Sequence, residues 1–223
     1  MSNTVVSSSA QPRSQVVPGI KLVVAVMLAV WFTLVILMGA GGVFFSPPGT
    51  PPLPIAIGVT APILLFLAGL WMSRPFRGFV LASDLRLILG IQAWRFAGFG
   101  FLALYAHGVL PGIFAWPAGL GDIAIGVTAP WLLVALIRRP SFAASKTFVV
   151  WNALGVLDLV VAVGTGALNS ALAAGVAGEI TTSPMAQLPL VLIPVYLVPI
   201  FIMLHAASFI QARRLARDLT ERA

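Results

Sequence analysis

Six long apolar stretches dominate this sequence, and a stretch of that length leaves a chain few ways to fold. About 20 consecutive apolar residues cross the hydrocarbon core of a bilayer as an α-helix, which satisfies its own backbone hydrogen bonds. The stretches lie at about residues 20–38, 53–72, 86–109, 112–137, 148–168 and 188–211. We therefore predict an all-α polytopic bundle of about six transmembrane helices, with the lipid bilayer as its first partner.

The amino-acid composition indicates the same class. Hydrophobic residues make up 60% of the chain and charged residues 9%, whereas a soluble domain carries about 25% charged residues. The net charge of +7 lies between apolar stretches and not on one face, so it does not indicate a nucleic-acid partner. The sequence has no cysteine, which excludes disulfides, thiolate metal sites and cysteine nucleophiles.

The basic residues lie in alternate connections between the apolar stretches. Every Lys and Arg except Arg95 belongs to the N-terminal segment, residues 73–86, residues 138–146 or the C-terminal segment. The positive-inside rule then predicts that both termini are cytoplasmic, as expected for a multi-pass protein of the bacterial inner (plasma) membrane.

The two ends of the chain are too polar to join the membrane domain. We expect residues 1–19 to be a disordered cytoplasmic tail, because they are Ser-rich and poor in apolar residues. Residues 20–211 then form the transmembrane domain, and residues 212–223 form a second cytoplasmic tail, which we expect to extend the last helix into water.

An identical octapeptide, IAIGVTAP, occurs at residues 55–62 and 123–130, one helical hairpin apart. We interpret it as a mark of tandem helical-hairpin repeats in parallel orientation, with Pro62 equivalent to Pro130. The small residues of GVTAP favour close helix packing over a binding role. Chance is the alternative, because apolar sequences use few residue types.

Three segments carry a resemblance to other proteins: QAWR at residues 92–95, FAWPAGLGD at 114–122, and the WN…D pattern at 151–158. Around them the chain resembles uncharacterised bacterial multi-pass integral membrane proteins. The resemblance covers spans three to six and assigns no activity and no residue role.

Three ionisable residues lie deep in the apolar stretches and form the core of the candidate site. Arg95 lies about 14 Å into span three at 1.5 Å per residue, near the middle of a core about 30 Å thick, and Asp122 and Asp158 lie about as deep. Arg95 paired with one aspartate would fix helix register. The second carboxylate would then hold a proton, a cation or a cationic substrate group, with Gln92 and Asn152 supplying hydrogen bonds.

Helical periodicity gives expectations for the surroundings of these charges. In span three it places Arg95 on one face with Gln92, Phe99 and Leu102. In span five a second face consists of Trp151, Gly155, Asp158, Ala162 and Thr165. Residues 116–122, WPAGLGD, fit either a broken helix at a transporter midplane or a helix that starts late, near Gly121.

The two histidines do not predict a haem site. At the same rise per residue, His107 and His205 should lie about 20 Å apart along the membrane normal, so we interpret His205 as an interhelical hydrogen-bond partner. The sequence has no Ser-His-Asp, HExxH, Walker or GxGxxG signature. We therefore assign no catalytic, metal or cofactor-binding residue.

Two main functions remain open at this point. One is a small-solute, proton- or ion-coupled transporter with a charged midplane site. The other is a non-transporting accessory, assembly or sensor subunit that joins a homo-oligomer or other membrane subunits, with the buried charges holding its fold. An intramembrane enzyme or haem protein ranks third.

Overall fold

The computed structural model describes residues 18–221, and within that range the secondary structure is helical, without a β-strand. Six helical spans are long and apolar enough to cross a membrane, which confirms the predicted all-α transmembrane bundle. In order these spans are Gly19–Ala40, Leu53–Met72, Leu85–Ala106, Gly112–Arg138, Lys146–Leu172 and Ile193–Thr220.

At both ends of the described range, the helices extend past the predicted limits of the transmembrane domain. Residues 1–17 of the expected N-terminal tail lie outside the described residues, and Pro18 and Gly19 already belong to the first helix. The last helix continues to Thr220, which confirms that the segment after residue 211 extends it. It continues because the arginines and aspartate that follow the apolar stretch are compatible with a helix and no proline or glycine interrupts them.

The connections between spans group at the two ends of the bundle. One group, here called the neutral end, contains residues 41–52, 107–111 and 173–192, which have no Lys or Arg. The other, here called the basic end, contains the short helix Arg74–Ala82 and residues 139–145, among others.

Local capping fixes the elements at the basic end. The Ser73 hydroxyl accepts from the backbone N–H of Phe76 and starts the short helix. Arg77 donates from Nε to the carbonyl of Leu70 at 2.9 Å and covers the end of span two. Ser145 caps span five in the same way, by accepting from Phe148 at 3.2 Å, so that helix begins before its apolar stretch does.

The two copies of the octapeptide pack differently. Gly58 faces Val195 of span six, and Gly126 faces the backbone of Phe96 in span three, so both glycines allow a neighbour to approach closely. Spans three and four pack along each other, while span one contacts mainly the short helix and the start of span six. This packing does not support tandem hairpins, and the repeat stays a prediction.

Candidate functional site

A change of helix type within span three determines which of its residues face the interior. The span is α-helical at both ends and 3₁₀-helical over Ala93–Gly98. A 3₁₀-helix has 3.0 residues per turn, and four residues at this spacing are buried: Gln92, Arg95, Gly98 and Phe101. The prediction that Phe99 shares a face with Arg95 is therefore wrong, since Phe99 is 57% exposed.

Arg95 joins two carboxylates on two other spans. Its Nε donates to Oδ1 of Asp122 at 2.7 Å, and its Nη2 donates to Oδ2 of Asp158. The Arg95 side chain has no exposed surface, whereas Asp122 and Asp158 keep 17% and 11% of theirs. The predicted pairing is confirmed, and it involves both aspartates at once.

The remaining guanidinium nitrogen of Arg95 faces span six. Nη1 lies 3.3 Å from the carbonyl oxygen of Gly155 and 3.1 Å from Nε2 of His205. A guanidinium can only donate, so Nε2 must be the accepting, unprotonated ring nitrogen. The imidazole proton is then on Nδ1, which donates to Oδ1 of Asn152 at 2.9 Å, and Asn152 donates to the carbonyl of Phe148 at 2.8 Å.

These contacts form a single network, here called the polar cluster, which consists of Arg95, Asp122, Asp158, His205 and Asn152. It links spans three, four, five and six. The sequence predicted an interhelical hydrogen bond for His205, and the contact with Asn152 confirms that prediction. The sequence did not predict that His205 lies beside Arg95. Gly155 was the one sequence feature that could have indicated a close neighbour at this point of span five, because a Cβ atom there would overlap the His205 ring.

Gln92 is buried beside the polar cluster without joining it. Its Nε2 lies 3.4 Å from the carbonyl oxygen of Phe201, and among the described residues its Oε1 has no hydrogen-bond partner. The predicted site thus divides into three parts. Arg95 and the two aspartates are in direct contact, Asn152 acts through His205, and Gln92 positions span three against span six.

Span four carries Asp122 on an unbroken helix, and both interpretations of residues 116–122 are wrong. The helix starts at Gly112 and contains Pro117 in its second turn. Small residues let it pack tightly on span three at this segment. A Cβ atom at Gly98 would lie 2.6 Å from the Asp122 Cβ, and one at Gly119 would lie 2.9 Å from Leu102.

Two cavities reach the polar cluster. The first, here called the end cavity, opens between the connections of the neutral end and has an empty volume of about 850 Å³, part of it open to the outside. Its walls are mostly apolar, and its polar lining residues include Ser46, Ser170, Thr182 and Asp122. Residues of the neutral end and a carboxylate of the polar cluster therefore line the same cavity.

The second cavity, here called the side crevice, opens between spans three and six on the flank of the bundle. It has an empty volume of about 930 Å³, including its open side, and both Arg95 and Asp122 contribute to its lining. The rest of the lining is apolar and includes Trp94, which is 72% exposed, and Phe201. The Phe201 ring centroid lies 5.6 Å from the guanidinium carbon of Arg95.

The polar cluster brings charges of both signs into contact inside the bundle. It combines one guanidinium with two carboxylates, and the geometry makes the imidazole a neutral partner. Within residues 18–221, no group of three or more His, Cys, Asp or Glu residues is placed to hold a metal ion.

A family model described as a domain of unknown function, DUF8737, matches residues 52–213. The chain belongs to this family. The DUF8737 match begins at span two and ends within span six, so it contains the whole polar cluster and leaves span one outside. No curated protein and no solved structure matches the chain.

Proposed function

We propose that this DUF8737 protein is a small secondary transporter coupled to protons or small cations, with the polar cluster as its midplane binding site. The end cavity carries this proposal. Ionised residues at membrane depth are costly, and those that line a cavity mark a substrate or ion pathway. Asp122 lines the end cavity and also accepts from Arg95.

Charge counting supports a cation or proton as the bound species. With Asp122 and Asp158 both ionised, Arg95 leaves the polar cluster with one uncompensated negative charge, since His205 is neutral. A net charge in a low-dielectric interior is unfavourable, so a proton or a cation would balance it. Either one would compete with Arg95 for the same carboxylate oxygens, and binding would thereby loosen the contacts between spans three, four and five.

The helices on either side of the cluster contain the segments that such a change needs. Span three is 3₁₀-helical over Ala93–Gly98, and span six begins with a π-helical segment over Ile193–Leu197. A 3₁₀ stretch within a helix often marks a hinge, and π-helical turns occur frequently at functional sites. A conversion of Ala93–Gly98 to α-helix would turn Arg95 relative to Asp122.

We further propose that the protein resides in the inner (plasma) membrane with both termini in the cytoplasm. The neutral end would then be external, because it carries no Lys or Arg. Reporter fusions after Pro52 and after Gly178 should report an external location, and a fusion after Ala223 an internal one. An external C-terminus would contradict this orientation.

A non-transporting accessory subunit is the second candidate, and one observation favours it. Arg95 is fully buried and has four hydrogen-bond partners, as expected of a group that only fixes helix register. In that case the end cavity would have no role in ion movement.

Ion flux in proteoliposomes separates the two candidates. Purified protein would be reconstituted with a pH-, Na⁺- or K⁺-sensitive dye inside, and a gradient of the matching ion would be imposed. We expect flux for at least one ion with the unmodified protein, loss of that flux in Asp122→Asn, and full flux in the exposed-site control Asp218→Asn. Flux no greater than that of empty liposomes under all three gradients would contradict the transporter proposal.

A further inference from the structure

The side crevice gives the polar cluster an approach from the flank of the bundle. Residues of spans three and six line it, and Trp94, Leu197 and Gly100 among them are exposed. In a membrane this flank faces acyl chains, so a molecule that enters by this route comes from the lipid phase.

The side crevice and the end cavity meet at one place. Asp122, Phe101 and Ile193 contribute to the lining of both cavities. Asp122 is the one charged residue of the three, so a cationic group bound there borders a route from the flank and a route to the neutral end. Phe101 and Ile193 supply an apolar partition between the two routes.

The crevice also lies where both of its helices depart from α geometry. Trp94, Arg95 and Gly98 come from the 3₁₀ segment of span three, and Ile193 and Leu197 come from the π-helical segment of span six. Because such segments often serve as hinges, the width of the crevice and the position of Arg95 depend on the same backbone.

From these relationships we infer that the side crevice binds an amphiphilic amine, with the hydrocarbon chain along the crevice and the ammonium group at Asp122. The apolar walls fit the chain, and the excess negative charge of the polar cluster fits the ammonium. Phe201, already beside Arg95, gives a cation an aromatic face at the same depth. This inference rests on the proposed transport function and names its substrate class.

Trp94 provides a local reporter for the test. Three probes with one terminally brominated dodecyl chain would be added to the full chain in lipid nanodiscs: a trimethylammonium, an uncharged maltoside and a sulfate. Bromine quenches nearby tryptophans, and the chain has 6 of them, so the Trp94 signal is the difference between the unmodified protein and Trp94→Phe. We expect saturable Trp94 quenching by the ammonium probe and weak, non-saturating quenching by the other two.

Two variants test the site of binding. Asp122→Asn should weaken ammonium binding by about tenfold or more, as expected for loss of a close charge pair. Gly100→Leu should block the crevice without disturbing the helix, because a Cβ atom at Gly100 meets no atom within 4 Å. Gly164→Leu is its matched control, since Gly164 is equally unobstructed, lies on span five and lines neither cavity.

Saturable, ammonium-selective quenching that is lost in Gly100→Leu and kept in Gly164→Leu would support the inference. Equal quenching by all three probes would mean that ordinary lipid chains fill the crevice, and would overturn it. A dimer that shields Trp94 from every probe would overturn it as well. Ion flux that depends on Asp122, together with no ammonium binding, would contradict this inference and leave the proposed function standing. Ammonium binding without any ion flux would contradict the proposed function and leave the binding site standing.

Discussion

Nε of Arg95 lies 2.7 Å from Oδ1 of Asp122, across the contact between spans three and four. The same guanidinium also donates to Asp158 on span five, so one side chain joins three helices. Two carboxylates therefore share one cation inside the bundle.

Removal of Arg95 should damage the fold. Arg95→Ala leaves two buried carboxylates without their cation, and breaking a buried pair typically costs about 3–5 kcal/mol. We expect much less folded protein in the membrane, measured by fluorescence-detected size exclusion of a tagged protein in mild detergent. Arg86→Ala, a change of an exposed arginine at the basic end, should leave the amount unchanged. Equal yields for the two variants would show that Arg95 is dispensable for the fold.

Two glycines should tolerate no side chain. A Cβ atom at Gly121 would overlap the Asp158 carboxylate, and one at Gly155 would overlap the His205 ring. Overpacking of this kind costs about 1–3 kcal/mol, so Gly121→Ala and Gly155→Ala should lower the thermal midpoint of unfolding in detergent. Gly164→Ala, at an unobstructed helical position, should leave it unchanged or raise it. A midpoint for Gly121→Ala equal to that of Gly164→Ala would contradict the described contact.

The tautomer of His205 is a direct spectroscopic prediction. Because Arg95 donates to Nε2, the proton should be on Nδ1, where Asn152 accepts it. Nitrogen-15 NMR of histidine-labelled protein should therefore show a protonated δ nitrogen and an unprotonated ε nitrogen. The His107→Gln variant removes the other histidine and isolates the signal. A neutral ring protonated on Nε2 would rule out the contact with Arg95.

Glu179 at the neutral end should titrate below the ordinary range. Backbone N–H groups of Ala174 and Gly175 donate to its carboxylate and lower its pKa from 4.5. Because the folded pKa is depressed, this loop contact is fully present above pH 4.5 and is lost as the pH falls through the lower folded value.

Carbon-13 NMR of glutamate-labelled protein measures that titration. The chain has two glutamates, Glu179 and Glu221, and Glu179→Gln assigns the signal. A Glu179 midpoint at or above 4.5 would contradict the contact.

The sequence predicted the spans well because hydropathy determines them directly. Span two matches its predicted bounds at Leu53 and Met72. The similar predicted depth of Arg95, Asp122 and Asp158 in the membrane was enough to predict that Arg95 pairs with an aspartate. The 3₁₀ segment could not be predicted, since periods of 3.0 and 3.6 differ too little over six residues of mostly apolar sequence. The contact of His205 with Arg95 was missed because depth along the membrane normal does not show which helices are lateral neighbours.

The most direct test of the central claim, that the polar cluster is a transport site, is ion flux through a variant that lacks all three charges. Arg95→Met, Asp122→Leu and Asp158→Leu combined replace the charges by apolar side chains, an exchange that often preserves stability when a whole buried ion pair is removed. Size exclusion would establish that the triple variant folds, and proteoliposome flux would then be compared with that of the unmodified protein. Our account predicts a folded protein with flux no greater than that of empty liposomes. A folded triple variant with the flux of the unmodified protein would contradict it.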